Sequence, residues 1–254
     1  MIGHSFYSAA NRRRFAHYTW VPPDASGPLP VVILLHGVYD AGIGWWQDAR
    51  AGEVAAALVA SGQLPPFALV VPSDTGAEQG SGYCDWRDGT TFAETYVIGE
   101  LLPWIAAELP GGGGLHVGGL SMGGYGSMLL ALRNPGVFES ASSTSGFFDP
   151  RRLFDFVPDA SARMWGDDAT REAHDVRALV ADPRRSDGLR IALDCGTEDS
   201  LIGDNREFSA LLKSLNVPHG YAESPGAHEW TYWSRRLEQH LRFHLGRGGD
   251  LAAS

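Results

Sequence analysis

The sequence predicts an α/β protein in which a mostly parallel central sheet, covered by helices on both faces, is entered by an antiparallel N-terminal hairpin. Three observations carry that prediction. Val31-Val32-Ile33-Leu34-Leu35 is an unbroken apolar, β-branched run, the pattern of a strand buried on both faces. Similar runs at residues 67–71 and 189–193 alternate with stretches of helical spacing. At Gly119-Leu120-Ser121-Met122-Gly123 a short apolar run gives way to a glycine-flanked serine and then to a helical sequence, the strand, turn and helix order of a nucleophile elbow.

In chain order, residues 5–7 and 15–21 form extended segments around a polar turn at Ala10-Asn11, closed by Pro22-Pro23. The strand at 31–35 ends at His36-Gly37-Val38, and a Gly- and Trp-containing loop leads to a helix over about 48–60 and the strand at 67–71. Residues 72–89 carry Gly76, Gly80, Gly82 and Gly89 among polar residues and predict an irregular surface loop. From Thr91, the spacing of Phe92, Tyr96, Val97, Leu101, Trp104, Ile105 and Leu109 predicts an amphipathic helix kinked at Pro103. The elbow strand at 115–117, the elbow, its helix and a strand at 137–144 follow. Residues 149–181, rich in Asp and Arg, predict a helical insertion over one end of the sheet. The strand at 189–193, a helix at 205–215, a last strand at 221–222 and a closing helix over 230–245 complete the chain.

With 254 residues, the chain is long enough to bury a sizeable core and is expected to form one domain spanning 1–254. The formal charge of −10 disfavours nonspecific binding to nucleic acid, and Arg12-Arg13-Arg14 is expected to be the solvated face of the hairpin. Two cysteines, Cys84 and Cys195, cannot make a disulfide framework, so a reducing compartment is expected. Neither a signal-like segment nor a run of 18 apolar residues is present. The expectation is a cytoplasmic protein without a membrane span.

A serine hydroxyl needs a base to take its proton and a third group to orient that base. Ser121 is the candidate nucleophile. His228, on the loop after the last strand, is the candidate base, with His219, His174 and His36 as rivals. Asp199, on the loop after the strand at 189–193, is the candidate orienting acid, with Asp194, Glu198 and Asp204 as rivals. The order serine, acid, histidine fits a sheet whose reactive groups lie on loops beyond the strands' carboxyl ends. The oxyanion formed on attack calls for preorganised N–H groups, and the Met122 and Val38 amides are the candidates. His36 and Gly37, which shape the loop carrying Val38, and Trp45, Trp46, Tyr83 and Trp86 are candidates to line a substrate pocket. His240 and His244 have the i, i+4 spacing of a metal pair but no accompanying ligand motif; they are expected to be solvated near a helix end. Cys195 is expected to be a buried thiol. No metal or organic cofactor is expected.

With these residues in place the chain resembles the putative-esterase family of α/β-hydrolases, which includes esterase D, S-formylglutathione hydrolases, tributyrin-type esterases and mycolyltransferases. The matching pieces are Leu34-Leu35-His36-Gly37, Gly119-Leu120-Ser121-Met122-Gly123-Gly124, Cys195-Gly196-Thr197-Glu198-Asp199 and Gly226-Ala227-His228-Glu229-Trp230. The resemblance implies an α/β-hydrolase fold, Ser121 as nucleophile, Asp199 as acid and His228 as base. The expected activity is hydrolysis of small or short-acyl carboxylic esters through an acyl-enzyme. A thioesterase of the S-formylglutathione type and an acyltransferase would use the same triad, and a noncatalytic binding protein is the reading from another class.

Overall fold

A computed structural model of the chain describes residues 1–25, 27–73, 80–110 and 112–246. Eight strands form one sheet: β1 Ile2–Ser8, β2 Arg13–Trp20, β3 Val31–Leu35, β4 Ala68–Pro72, β5 Leu115–Leu120, β6 Ser140–Thr144, β7 Arg190–Gly196 and β8 His219–Ser224. Their spatial order is β1-β2-β4-β3-β5-β6-β7-β8. The β1/β2 and β2/β4 pairs are antiparallel, and every pair from β4/β3 to β7/β8 is parallel.

The two faces of the sheet are filled by alternate residues of the same strands, which is why these strands read as unbroken apolar runs. Val31, Ile33, Leu35, Ala68, Val70 and Val117 join one core cluster, packed on helix α4 over Met122–Arg133. Val32, Leu34, Leu69, Val71 and Leu120 join the other, beneath α2 (Ala51–Ala60) and α11 (Trp230–Leu245). Residues 122–132 are all buried, because the elbow helix lies between the sheet and an outer layer of helices.

Several boundaries differ from the sequence expectation for identifiable reasons. The helix expected over 48–60 begins earlier, as the single turn α1 (Gly44–Gln47), and restarts at Ala51 after Arg50, whose φ of 51° breaks the helical path. Pro103 does not kink a continuous helix. Residues Thr95–Leu101 are wound as a π-helix, and Pro103 falls in the first turn of α3 (Leu102–Glu108), where a missing N–H costs little. The expected surface loop at 72–89 is buried from Gly80 to Cys84, drawn inward by Tyr83, Cys84 and Trp86; Gly76 lies outside the described residues. The expected strand at 189–193 runs on through Cys195 and Gly196, and the one at 221–222 begins at His219.

Between β6 and β7 the chain forms a 3₁₀ turn, Pro150–Arg152, and five short helices: α5 Leu153–Phe156, α6 Pro158–Trp165, α7 Asp168–Glu172, α8 Val176–Val180 and α9 Pro183–Ser186. Asp167, Asp175 and Asp182 cap α7, α8 and α9 by accepting backbone N–H bonds, so the aspartates that gave this stretch its polar character punctuate it. The Asp175–Arg177 and Asp182–Arg184 ion pairs tie the same caps to the following turn. After β7 the chain forms α10 (Ile202–Ser214).

The largest departure concerns His240 and His244, which are buried rather than solvated. Strand β6, Ser140-Ala141-Ser142-Ser143-Thr144, turns Ser140, Ser142 and Thr144 toward α11, whose Arg236, His240 and His244 recur every four residues along the facing stripe. His244 Nδ1 lies 2.7 Å from Ser140 Oγ and its Nε2 lies 2.9 Å from Ser142 Oγ. His240 Nε2 lies 2.8 Å from Thr144 Oγ1, and Arg236 pairs with the Asp194 carboxylate at the end of β7. His116 Nδ1 extends the ladder at 2.8 Å from Ser140 Oγ. Gly118 makes room for it, since a Cβ there would stand 3.0 Å from His244 Nε2.

Burial pushes the His244 pKa well below its ordinary value, with His116, His240 and Arg190 adding to the effect. Burial likewise lowers His116 to about 4, with Arg190 adding, and His17 to about 4, with His4 adding. An unfolded chain protonates these rings at pH ~6.5, whereas in the folded chain His116 and His17 resist until about pH 4 and His244 is shifted in the same direction. Their contribution to stability is therefore complete above the unfolded value and lost as pH falls through that window. Each unit of difference is worth about 1.4 kcal/mol. The urea midpoint is expected to fall steadily from pH 7 to pH 5, and less steeply in His116→Gln; a midpoint constant over that range would contradict this account.

Candidate active site

Strand β5 ends at Leu120, and Ser121 turns the chain into α4 with φ 53° and ψ −120°. A left-handed φ at a serine is strained and needs its surroundings to hold it. Two features do so. The Ser121 N–H donates to the Thr144 carbonyl at 2.9 Å, and the flanking glycines sit where no side chain fits. A Cβ at Gly119 would meet the Gly123 carbonyl and stand 2.8 Å from the Leu35 oxygen. One at Gly123 would meet the Leu35 carbonyl and stand 2.8 Å from the His36 oxygen. The elbow is thus pressed against the end of β3 by its own lack of side chains.

The loops after β7 and β8 are stitched to each other. Thr197 N–H donates to the Ser224 carbonyl and Glu198 N–H to the Gly226 carbonyl, each at 3.0 Å, and the Glu198 carboxylate accepts from the Gly226 N–H. That seam brings Asp199 and His228 together. His228 Nδ1 lies 2.9 Å from Asp199 Oδ2 and 3.1 Å from Oδ1, and His228 Nε2 lies 2.9 Å from Ser121 Oγ. Asp199 also accepts from the Leu201 N–H at 2.9 Å. Burial pushes the Asp199 carboxyl up, but the hydrogen bonds from His228 and Leu201 outweigh it, leaving the group below its ordinary value. An ionised carboxylate only accepts; the imidazole proton therefore belongs on Nδ1, and Nε2 is left to accept from the serine hydroxyl. A hydroxyl, a base and an orienting anion in one hydrogen-bonded line can deprotonate the serine as it attacks.

The rival residues are engaged elsewhere. Asp194 is paired with Arg236, Asp204 with Arg152, and Glu198 with the Gly226 amide. His219 lies 2.9 Å from Ser209 Oγ, and His174 Nδ1 lies 2.7 Å from the Thr170 carbonyl. The buried Ser140–His244 contact forms no comparable site. The second nitrogen of His244 meets the Ser142 hydroxyl instead of a carboxylate, and both residues are shielded from solvent. Cys84 and Cys195 are buried thiols that form no disulfide, and burial raises the Cys195 pKa.

The β3 loop approaches the elbow closely. A Cβ on Gly37 would stand 3.0 Å from Leu120 Cδ1 and 3.4 Å from Ser121 Cβ, so Val38 lies beside the serine. His36 is buried beneath this turn: its N–H donates to the Tyr83 hydroxyl, which in turn donates to the His36 carbonyl, both at 3.0 Å. A cleft of about 180 Å³ opens beside Ser121 and His228, walled by Gly37, Val38, Asp40, Leu120, Trp230 and Trp233.

Of the expected pocket residues, Gly37 lines this cleft and His36, Trp45, Trp46, Tyr83 and Trp86 do not. Tyr83 braces His36, Trp86 donates to the Ser81 carbonyl at 2.9 Å beneath Arg163, and Trp45 donates to the Leu35 carbonyl at 3.1 Å. Trp46 is half-buried over Gly52. Each indole or phenol was drawn into packing by a hydrogen-bond partner or an apolar neighbour. Asp40, Trp230 and Trp233 were missed. For the two tryptophans the signal was available, since they open a helix directly after His228. Trp45, Trp230 and Trp233 form an edge-to-face series, with centroids 5.7 and 5.3 Å apart, and Trp233 meets the His228 ring at 4.9 Å.

Comparison with known proteins agrees with this layout. Residues 8–244 match the family described as Putative esterase. The chain is 25% identical over 225 residues to an acetyl esterase of Caldicellulosiruptor saccharolyticus, covering 82% of this chain and 80% of that protein. Among solved structures, a ferulic acid esterase superposes with a TM-score of 0.84 at 24% identity, with 96% of each chain covered. An S-formylglutathione hydrolase from Agrobacterium tumefaciens superposes with a TM-score of 0.82 at 23% identity, covering 95% of this chain and 93% of that one. No helix among the described residues is long and apolar enough to cross a membrane. With its elbow serine at the carboxyl edge of a mostly parallel sheet and the family match running from the hairpin to the closing helix, the chain belongs to the putative-esterase family and is an esterase with an α/β-hydrolase fold.

Proposed function

We propose that the chain is a serine carboxylic-ester hydrolase of short-acyl esters, with Ser121 as nucleophile, His228 as general base and then acid, and Asp199 as the orienting anion. The observation that carries the reading is the unbroken line from the Asp199 carboxylate through both His228 nitrogens to Ser121 Oγ. Ser121 Oγ attacks the ester carbonyl carbon while His228 Nε2 takes its proton. The carbonyl oxygen becomes an oxyanion, met by the Val38 and Met122 amides, the second of which opens a helix of 12 residues. Collapse breaks the C–O bond to the alcohol, which leaves with the proton from His228. Water then repeats the sequence on the acyl-enzyme, releasing the acid and restoring Ser121. The small cleft and the acetyl esterase relative support a short acyl group.

Ser121→Ala is expected to lower kcat for p-nitrophenyl acetate by on the order of 10⁴-fold or more, with an unchanged circular dichroism spectrum, and to abolish labelling by a fluorophosphonate. Full turnover in that variant would refute the assignment. Asp199→Ala, which leaves the imidazole without its orienting anion, is expected to lower kcat by roughly 10³- to 10⁴-fold with a much smaller change in KM. A change confined to KM would remove Asp199 from the catalytic line. A matched ester and thioester of the same acyl group, compared by kcat/KM, separates the esterase from a thioesterase using the same three residues.

A further inference from the structure

We propose that the cleft beside Ser121 selects esters carrying a cationic ammonium group over neutral or anionic ones of the same shape, with Asp40 as the residue that sets the preference; this rests on the esterase reading above. Among the described residues lining the cleft, Asp40 carries the one fixed charge, and no lysine or arginine is present to balance it. Its position is built rather than incidental. Oδ1 accepts from the Ala41 and Gly42 amides at 2.6 and 3.1 Å, closing a turn, and Oδ2 lies beside Gly44 next to the Trp230 ring, since a Cβ on Gly44 would stand 2.9 Å from Oδ2 and overlap the indole. Oδ2 is buried and has no described hydrogen-bond partner. A desolvated, unpaired carboxylate oxygen is unfavourable when the cleft is empty, and a nearby cation offsets that cost.

The rest of the wall suits such a ligand. Trp230 and Trp233 border the same cleft, and indoles beside a carboxylate are the combination that recognises alkylammonium groups, through ring quadrupoles and the opposite charge. The two indoles are fixed by their edge-to-face contacts with each other, at 83°, and with Trp45 and His228, at 85° and 88°. Trp233 is therefore a preformed wall. The formal charge of −10 adds a net long-range field of the same sign. An acyl or alcohol portion bearing a carboxylate meets repulsion from both.

Coulomb attraction across a cleft of this size, at an effective dielectric constant of about 20–40, corresponds to roughly tenfold in kcat/KM. Two isosteric pairs test it, one for each half of the ester. Acetylcholine is compared with 3,3-dimethylbutyl acetate, and the p-nitrophenyl ester of 4-(trimethylammonio)butanoate with that of 5,5-dimethylhexanoate. In at least one pair the cationic member is expected to be favoured by about tenfold, and the pair that shows it tells which half of the ester lies by Asp40. That ratio is expected to fall several-fold in Asp40→Asn, which keeps the Oδ1 acceptor and so the turn, and to shrink in the native enzyme as salt is raised from 20 to 500 mM. Neutral members favoured in both pairs, or a ratio unmoved by both the substitution and the salt, would overturn the proposal. Absence of p-nitrophenyl acetate turnover would instead remove the esterase reading beneath it.

Discussion

The left-handed backbone at Ser121 is the constraint on which the rest of the site depends. A serine at φ 53° is held there because three strands converge on it. β5 delivers it, β6 accepts its N–H through Thr144, and the end of β3 presses its carbonyls against the side-chain-free flanks at Gly119 and Gly123. The same close approach places Gly37 over the serine, so the turn that exposes the hydroxyl also positions the amides expected to receive the oxyanion. The strained turn and the close seating of the loop after β3 are two results of one packing arrangement.

The order of elements and the site's three polar residues were legible in the sequence because each leaves a local trace. Doubly buried parallel strands show as apolar runs, and the elbow shows as two glycines around a serine. Asp199 and His228 show as polar residues just beyond the last two strands. The seam between Glu198 and Gly226 that joins the loops is a long-range fact with no local pattern. The pocket was less legible because tryptophan and tyrosine carry the same sequence signature whether they line a cleft or brace a turn. Tyr83 and Trp86 brace, while Trp230 and Trp233 line.

His240 and His244 show why composition misleads inside a helix. Two histidines near a helix end suggest water, but the partner strand decides, and β6 is built of Ser, Ala and Thr. Its small hydroxyl side chains leave both the space and the hydrogen bonds that buried imidazoles need. The trace was present in two places at once: a period of two in Ser140, Ser142 and Thr144, and a period of four in Arg236, His240 and His244. Neither has meaning until the strand and the helix are known to face each other.

That ladder acts as an alignment key between α11 and the sheet. Apolar faces tolerate a helix that slides or rotates slightly, since one methyl group substitutes for another at little cost. A row of hydroxyls matched to imidazoles, ending in the buried Arg236–Asp194 pair, has one setting at which its donors and acceptors are satisfied. His228 enters α11 two residues before its first turn, and Asp199 leaves the strand that bears Asp194. The lock that fixes the helix against β7 thereby fixes the separation of His228 and Asp199, so the geometry around Ser121 is set in part by polar groups buried behind it.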